Sequence, residues 1–203
     1  MIAAVSRKSS GDFKLQMGEI GSVMQDSVDG KTLARPTFEF NGQAAWTVVD
    51  GDRIVRVVRS KTTGRISESE VDARSIDEIE GEISVIRLSH SGARAAMIID
   101  GHVYIAAVAQ SSSGDKRIVN AREVGPEVSG SALSLDWNND GSLIVGTSSG
   151  QSPVWRIEQD GSSASTMPTG NITAPVVAVA TSPSKLYITD SHAMLELPAT
   201  VVD

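Results

Sequence analysis

The 203-residue sequence contains no cysteine. Disulfides, thiolate nucleophiles and cysteine-ligated metals are therefore excluded, and the redox compartment leaves no mark. Aromatic residues are scarce at 4%, and leucine is scarce among the aliphatics, with 9 Leu against 38 Val plus Ile. Few aromatics leave little for a sugar-stacking platform. The shortage of leucine beside abundant branched residues disfavours helices and favours a pleated sheet. No run approaches the ~18 apolar residues of a membrane-spanning helix. The opening Met1-Ile2-Ala3-Ala4-Val5-Ser6 has neither a basic stretch nor a long apolar core, so it does not read as a signal peptide. Positive charge is in deficit as well. The net charge is -7, which is unsuited to a phosphate backbone.

What is present is 28 Ser, 12 Thr and 18 Gly around the branched residues, a composition of many short strands joined by tight turns. The mean hydropathy of -0.06 suits neither a membrane core nor a disordered chain.

The turns repeat. Ala3 to Asp12 aligns without a gap on Ala106 to Asp115, and a related copy starts at Arg56. Gly11, Gly64, Gly114 and Gly161 form one series of turn glycines. Asn41-Gly42, Ser91-Gly92 and Asp140-Gly141 form a second, and Asp50-Gly51 and Asp100-Gly101 a third. All three step by about fifty residues, the period of a propeller blade. The clearest unit predicts strands over Ile83–Ser89, Ala95–Ile99, Val103–Ala109 and Arg117–Ala121, with an Asp-Gly hairpin at Asp100-Gly101. The expected fold class is all-β. The expected architecture is a β-propeller of about four repeats, in units of about 1–32 (partial), 33–80, 82–130, 131–173 and 174–203 (partial). The phase places the chain's opening in the third strand of a unit and its close near a third strand, Ala193–Leu197. One propeller domain over 1–203, an incomplete part of a larger propeller, is the expectation.

Three segments carry a family resemblance. They are Arg87 to Ala96, then Pro153-Val154-Trp155-Arg156-Ile157 with Asp160-Gly161, then Asn171 to Val179. In order and spacing they resemble the carboxy-terminal propeller of the actinobacterial LpqB lipoprotein family, over about 40–203. The resemblance implies a lipid-anchored extracytoplasmic protein, with the anchor and a germination-protein-like domain outside this chain. It also implies a protein partner, the extracytoplasmic domain of the sensor kinase of an MtrA–MtrB two-component system, with a role in cell-wall homeostasis and division. It brings no catalytic residues.

The chemical motifs have plainer readings. Asp136-Trp137-Asn138-Asn139-Asp140-Gly141 matches the first half of a calcium loop, but the bidentate Glu is replaced by Thr147. A strand-to-strand turn is the stronger reading. Gly146-Thr147-Ser148-Ser149-Gly150 fits a nucleophile elbow, yet strand-like residues follow where a helix is needed. His90, His102 and His192 have no metal-ligand spacing. Gly30-Lys31-Thr32 lacks the first P-loop glycine. Ser113-Gly114-Asp115-Lys116 lies in a repeated loop. Asn171-Ile172-Thr173 is a sequon that matters only in a eukaryotic secretory pathway. Trp46, Trp137 and Trp155 read as core, with partner anchors as the alternative. Glu68 to Glu82 carries seven acidic residues and reads as a solvated outer loop, or as a dock for a basic patch. Ile83, Val85, Leu133, Leu135, Val177 and Val179 are expected on innermost strands, with little to hold an ion.

No catalytic, cofactor-binding or metal residue is therefore expected, and no nucleic-acid partner. A non-enzymatic interaction domain is the leading reading. A propeller-type hydrolase or lactonase with a ligand or ion in the central channel is the alternative.

Overall fold

A computed structural model describes residues 1–73, 76, 79–125, 128–182 and 184–198. Among them there are eighteen strands and no helix. The strands fall into five sheets, and within each sheet they lie side by side in chain order. The first holds β1 (Ile2–Arg7), β2 (Phe13–Gly18) and β3 (Gln25–Gly30). The second holds β4 (Thr37–Phe38), β5 (Ala44–Val49), β6 (Arg53–Arg59) and β7 (Ile66–Glu70). The third holds β8 (Ile83–Leu88), β9 (Arg94–Ile99), β10 (His102–Gln110) and β11 (Lys116–Glu123). The fourth holds β12 (Ala132–Trp137), β13 (Leu143–Thr147), β14 (Val154–Ile157) and β15 (Ala164–Thr166). The fifth holds β16 (Ala178–Thr181), β17 (Lys185–Thr189) and β18 (Met194–Pro198).

Burial explains the strand compositions. Every residue of β5 and β13, and all of β9 after Arg94, is buried, which is why these segments are continuous apolar runs rather than alternating ones. The last strands β7 and β15 face water instead. In β7 all but Ile66 are exposed, and β15 reads Ala-Ser-Thr.

The chain forms two compact units, Met1–Ala95 with Ala106–Asn120, and Ala96–Ile105 with Ala121–Asp203. The division runs through the third sheet. In the first unit, Leu15, Met17 and Val28 of the first sheet pack on Ala45, Val49, Val55 and Val57 of the second. In the second unit, Ile144 and Val154 pack on Val176, Val179, Leu186 and Ile188. Each of these Val, Leu, Ile and Met side chains contributes roughly 1.5–3 kcal/mol when fully buried.

The repeated turns have repeated hydrogen bonds. Lys8, Ser60, Ser111 and Glu158 donate their amides across a loop to Asp12, Arg65, Asp115 and Ser163 at 2.7–3.0 Å. The glycines of those loops all have positive φ, from 69° to 99°. At Asp50-Gly51 and Asp100-Gly101 both residues are left-handed, with φ of 55° and 83° and of 46° and 83°. That is the twist-matched hairpin for which Asp-Gly is suited. The carbonyls of Gly51 and Gly101 then accept the amides of Ile83 and Ala132, at the start of the following sheets, at 2.7 and 2.8 Å.

At the amino terminus the Lys8–Asp12 loop has the bonds of the Ser111–Asp115 loop; it joins β1 to β2, and β3 lies beyond β2 in the same sheet. At the other end β18 is the third strand of its sheet.

Candidate functional site

In the first unit, one end of the sheets is organised by two arginines. Arg56 grips Glu39 in a bidentate pair, Nε to Oε1 at 2.6 Å and Nη2 to Oε2 at 3.1 Å, while the Trp46 indole donates to Oε1 at 2.9 Å. Burial pushes the Glu39 carboxyl up, but the donors from Arg56 and Trp46 outweigh it and hold the group below the usual range. Arg59 donates through Nη1 to Glu19 at 2.5 Å and through its amide to the Gln43 carbonyl at 3.2 Å. Beside the Glu39 pair lies a small cleft of about 170 Å³, lined by Phe40, Leu88, Ser91, Val108 and Lys116 with Trp46 behind them.

The second unit has a larger cleft of about 310 Å³. The Asp100-Gly101 hairpin, Ser131 and the end of β11 form it. His102 Nδ1 stands 2.8 Å from Glu123 at its edge, and both side chains are largely solvated. The Tyr104 phenol is pushed up, first by burial and then by the nearby charges of Glu123 and Asp100.

The motif residues are dispersed into turns. Asp136 accepts Thr181 through its amide and hydroxyl, at 2.8 and 3.1 Å. Asp140 accepts Ser142 and pairs with Arg156 at 2.9 Å. Gly141 donates to Asn138 and has φ of 84°, so the segment is a strand-to-strand turn with its carboxylates already engaged. Ser148 is exposed, and its hydroxyl accepts the Ser131 amide at 3.0 Å. Gly146 lies inside β13, where a Cβ would run into Val176 and Ser134. Close packing, not an elbow, accounts for that glycine. No cluster of three or more His, Asp or Glu able to hold a metal occurs among the described residues. His90, His102 and His192 are all exposed.

Trp46 and Trp137 are core, at 0% and 2% exposure. Trp155 is half-buried, with its indole tied to the Ser152 carbonyl at 2.9 Å. Leu133 lies on β12, the first strand of its sheet, as the extra residue of a bulge where Ala132 pairs with Thr147 and Ser134 with Gly146; it is 38% exposed beside buried Leu135. Two expectations need correction. Val177, expected on an innermost strand, precedes β16 and is 49% exposed. The acidic stretch is not a loop throughout. Glu68 and Glu70 belong to β7, and Asp72 bridges backbone to backbone to Arg117. Arg74, Ser75, Asp77 and Glu78 lie outside the described residues.

Sequence reasoning passed over the Glu39–Arg56 pair and the exposed Phe40. A signal existed, since Phe40 replaces a polar residue in a turn whose counterparts are His90 and Asn139.

Comparison with known proteins decides the family. The profile described as the lipoprotein LpqB β-propeller domain matches residues 1–201. The chain belongs to that family. Among proteins named lipoprotein LpqB, it is 44% identical to that of Corynebacterium diphtheriae, over 97% of this chain and 34% of the relative. It is 38% identical to that of Rhodococcus jostii, over 84% and 28%, and 30% identical to that of Mycobacterium tuberculosis, over 92% and 32%. The chain thus spans about a third of the length of these LpqB relatives. Among solved structures it is similar to the β-propeller domain of Cps50 (Swd1) from Myceliophteria thermophila. The TM-score is 0.64 at 11% identity, covering 98% of this chain and 66% of that one. At that identity the likeness establishes the fold alone, an all-β propeller of which the chain supplies a part.

Proposed function

We propose that the chain is the interaction domain of a membrane-anchored, extracytoplasmic LpqB lipoprotein. Its partner in this reading is the extracytoplasmic domain of a sensor histidine kinase of the MtrA–MtrB type, whose signalling it modulates without catalysing a reaction. The family match over residues 1–201 carries the proposal. The relatives' shared name supports the lipid anchor, which would lie outside this chain. The site geometry supports a binding role. The carboxylates of the Asp136–Gly141 turn are satisfied by Thr181, Ser142 and Arg156, and the Ser148 hydroxyl faces an amide rather than a base. Stiff sheets with variable turns can carry affinity on the turns without disturbing the core.

The test is a binding titration between the soluble ectodomain of the full-length lipoprotein and the purified sensor domain of the matching kinase. Saturable association at or below tens of micromolar is expected. No association, together with turnover of an ester, lactone or glycoside, would replace this reading with a propeller hydrolase.

A further inference from the structure

Ile20, Val23 and Phe40 are 82%, 86% and 83% exposed, more than any other large apolar side chain among the described residues. Isolated exposed hydrophobes are ordinary; these three share a place. Ile20 and Val23 sit in the β2–β3 turn, where Ser22 donates back to Glu19. Phe40 sits in the β4–β5 turn, where Gly42 donates back to Glu39. Arg59 joins the two turns, with its guanidinium on Glu19 and its amide on the Gln43 carbonyl. Both turns therefore open at one end of the first unit. The cleft lined by Phe40, Leu88, Val108 and Lys116 opens there too.

Charge narrows the occupant. Glu39, at the cleft, is neutralised by its bidentate pair with Arg56. Lys116, on the same cleft, donates to Gln110 at 3.1 Å but has no carboxylate within 4 Å among the described residues. Lys61 and Arg65, in the β6–β7 turn beyond Arg59, likewise have no such carboxylate. This end is thus locally cationic on a molecule of net charge -7. Size narrows it further. About 170 Å³ is small for a drug-sized ligand, whose sites run to roughly 300–1,000 Å³. It is close to the roughly 150 Å³ of apolar cavity that accepts a benzene. The cleft holds one side chain, and the apolar surface continues outside it onto two turns.

We infer that the Ile20–Val23–Phe40 end of the first unit is the docking surface, and that it takes an extended protein segment presenting one aromatic or branched apolar side chain next to a carboxylate. The apolar side chain fills the cleft beside Leu88 and Val108, the carboxylate meets Lys116, and flanking apolar residues cover Phe40, Ile20 and Val23. This inference rests on the interaction reading above and assigns it a surface.

Two titrations on the same proteins separate the surface from the partner. The probes are the kinase sensor domain and the peptide acetyl-Gly-Glu-Phe-Asp-Gly-amide, with acetyl-Gly-Lys-Phe-Lys-Gly-amide and benzoate as comparisons. The lipoprotein ectodomain is used as wild type, Phe40→Ser, Lys116→Glu and, as a control at an exposed site in the other unit, Met194→Ser. Expected is binding of the acidic peptide and not the basic one, weakened at least tenfold by Phe40→Ser and Lys116→Glu and unchanged by Met194→Ser, with the sensor domain following the same order. Thermal midpoints serve as the folding control, Phe40 being exposed and Lys116 half-buried. Acidic-peptide binding without sensor binding would keep the surface and remove the kinase. Sensor binding unaffected by either substitution would keep the kinase and overturn the surface. Benzoate binding without peptide binding would also overturn it, in favour of a small-molecule pocket.

Discussion

At the scale of single residues, the glycines and tryptophans separate conformational strain from packing. Gly42 has φ of 64° and open space where a Cβ would point, whereas Gly101 has φ of 83° and a Cβ there would stand 2.9 Å from Ser131 Cβ. Gly42→Ala should cost about 1 kcal/mol, from the left-handed backbone alone. Gly101→Val should cost more, that strain of roughly 1–2 kcal/mol plus the overlap. Equal losses in denaturant midpoint for the two would contradict this. Trp46→Ala should cost roughly 3–5 kcal/mol and leave Glu39 with one donor fewer; calorimetry measures it. Asp190 supplies a pH dependence. Its carboxylate accepts the amides of Thr173, His192 and Ala193 at 2.7–3.0 Å, which holds it far below the ordinary range. A group depressed in the folded state stabilises above its unfolded pKa of about 4, and that contribution fades as pH falls below it. Asp190→Asn should therefore flatten the loss of thermal midpoint between pH 5 and pH 3, roughly the range in which the unfolded carboxyl titrates. An unchanged slope would mean that Asp190 is not a source of the acid sensitivity.

Among the elements, protection should follow position within each sheet. Strands β5, β9 and β13 are buried almost throughout, while β7, β15 and β18 present exposed residues to water. Hydrogen exchange should be slowest in the first group and fastest in the second; fast exchange across β9 would argue against the buried ladder. Much of this was legible in sequence, because a strand covered on both faces must read as an unbroken run such as Met97-Ile98-Ile99, and because Asp-Gly has one favoured hairpin. What stayed hidden depends on tertiary pairing. The bulge at Leu133 turns on a one-residue slip against β13 that composition does not encode. The pairing of β3 beyond β2 is likewise tertiary, since the Lys8–Asp12 loop alone says nothing of it. The exposed end around Phe40 needed Arg59 to bring two distant turns together, a contact across forty residues.

For the whole molecule, the fold predicts a circular-dichroism spectrum of β type without helical minima, and a helical spectrum would be incompatible with eighteen strands. If the end proposed above is the docking surface, its local positive charge predicts that binding of the proposed partner weakens as salt rises through the physiological range, as screened surface electrostatics requires. Affinity indifferent to salt would leave the apolar contacts as the sole source of recognition. The hairpin carbonyls have a consequence of their own. Gly51 accepts the amide that opens the third sheet, and Gly101 the amide that opens the fourth. At these two joints a hairpin tip is the socket and the first amide of the next sheet is the plug. Deforming either tip would strip that amide of its acceptor, so damage to one hairpin would be felt in the sheet that follows it.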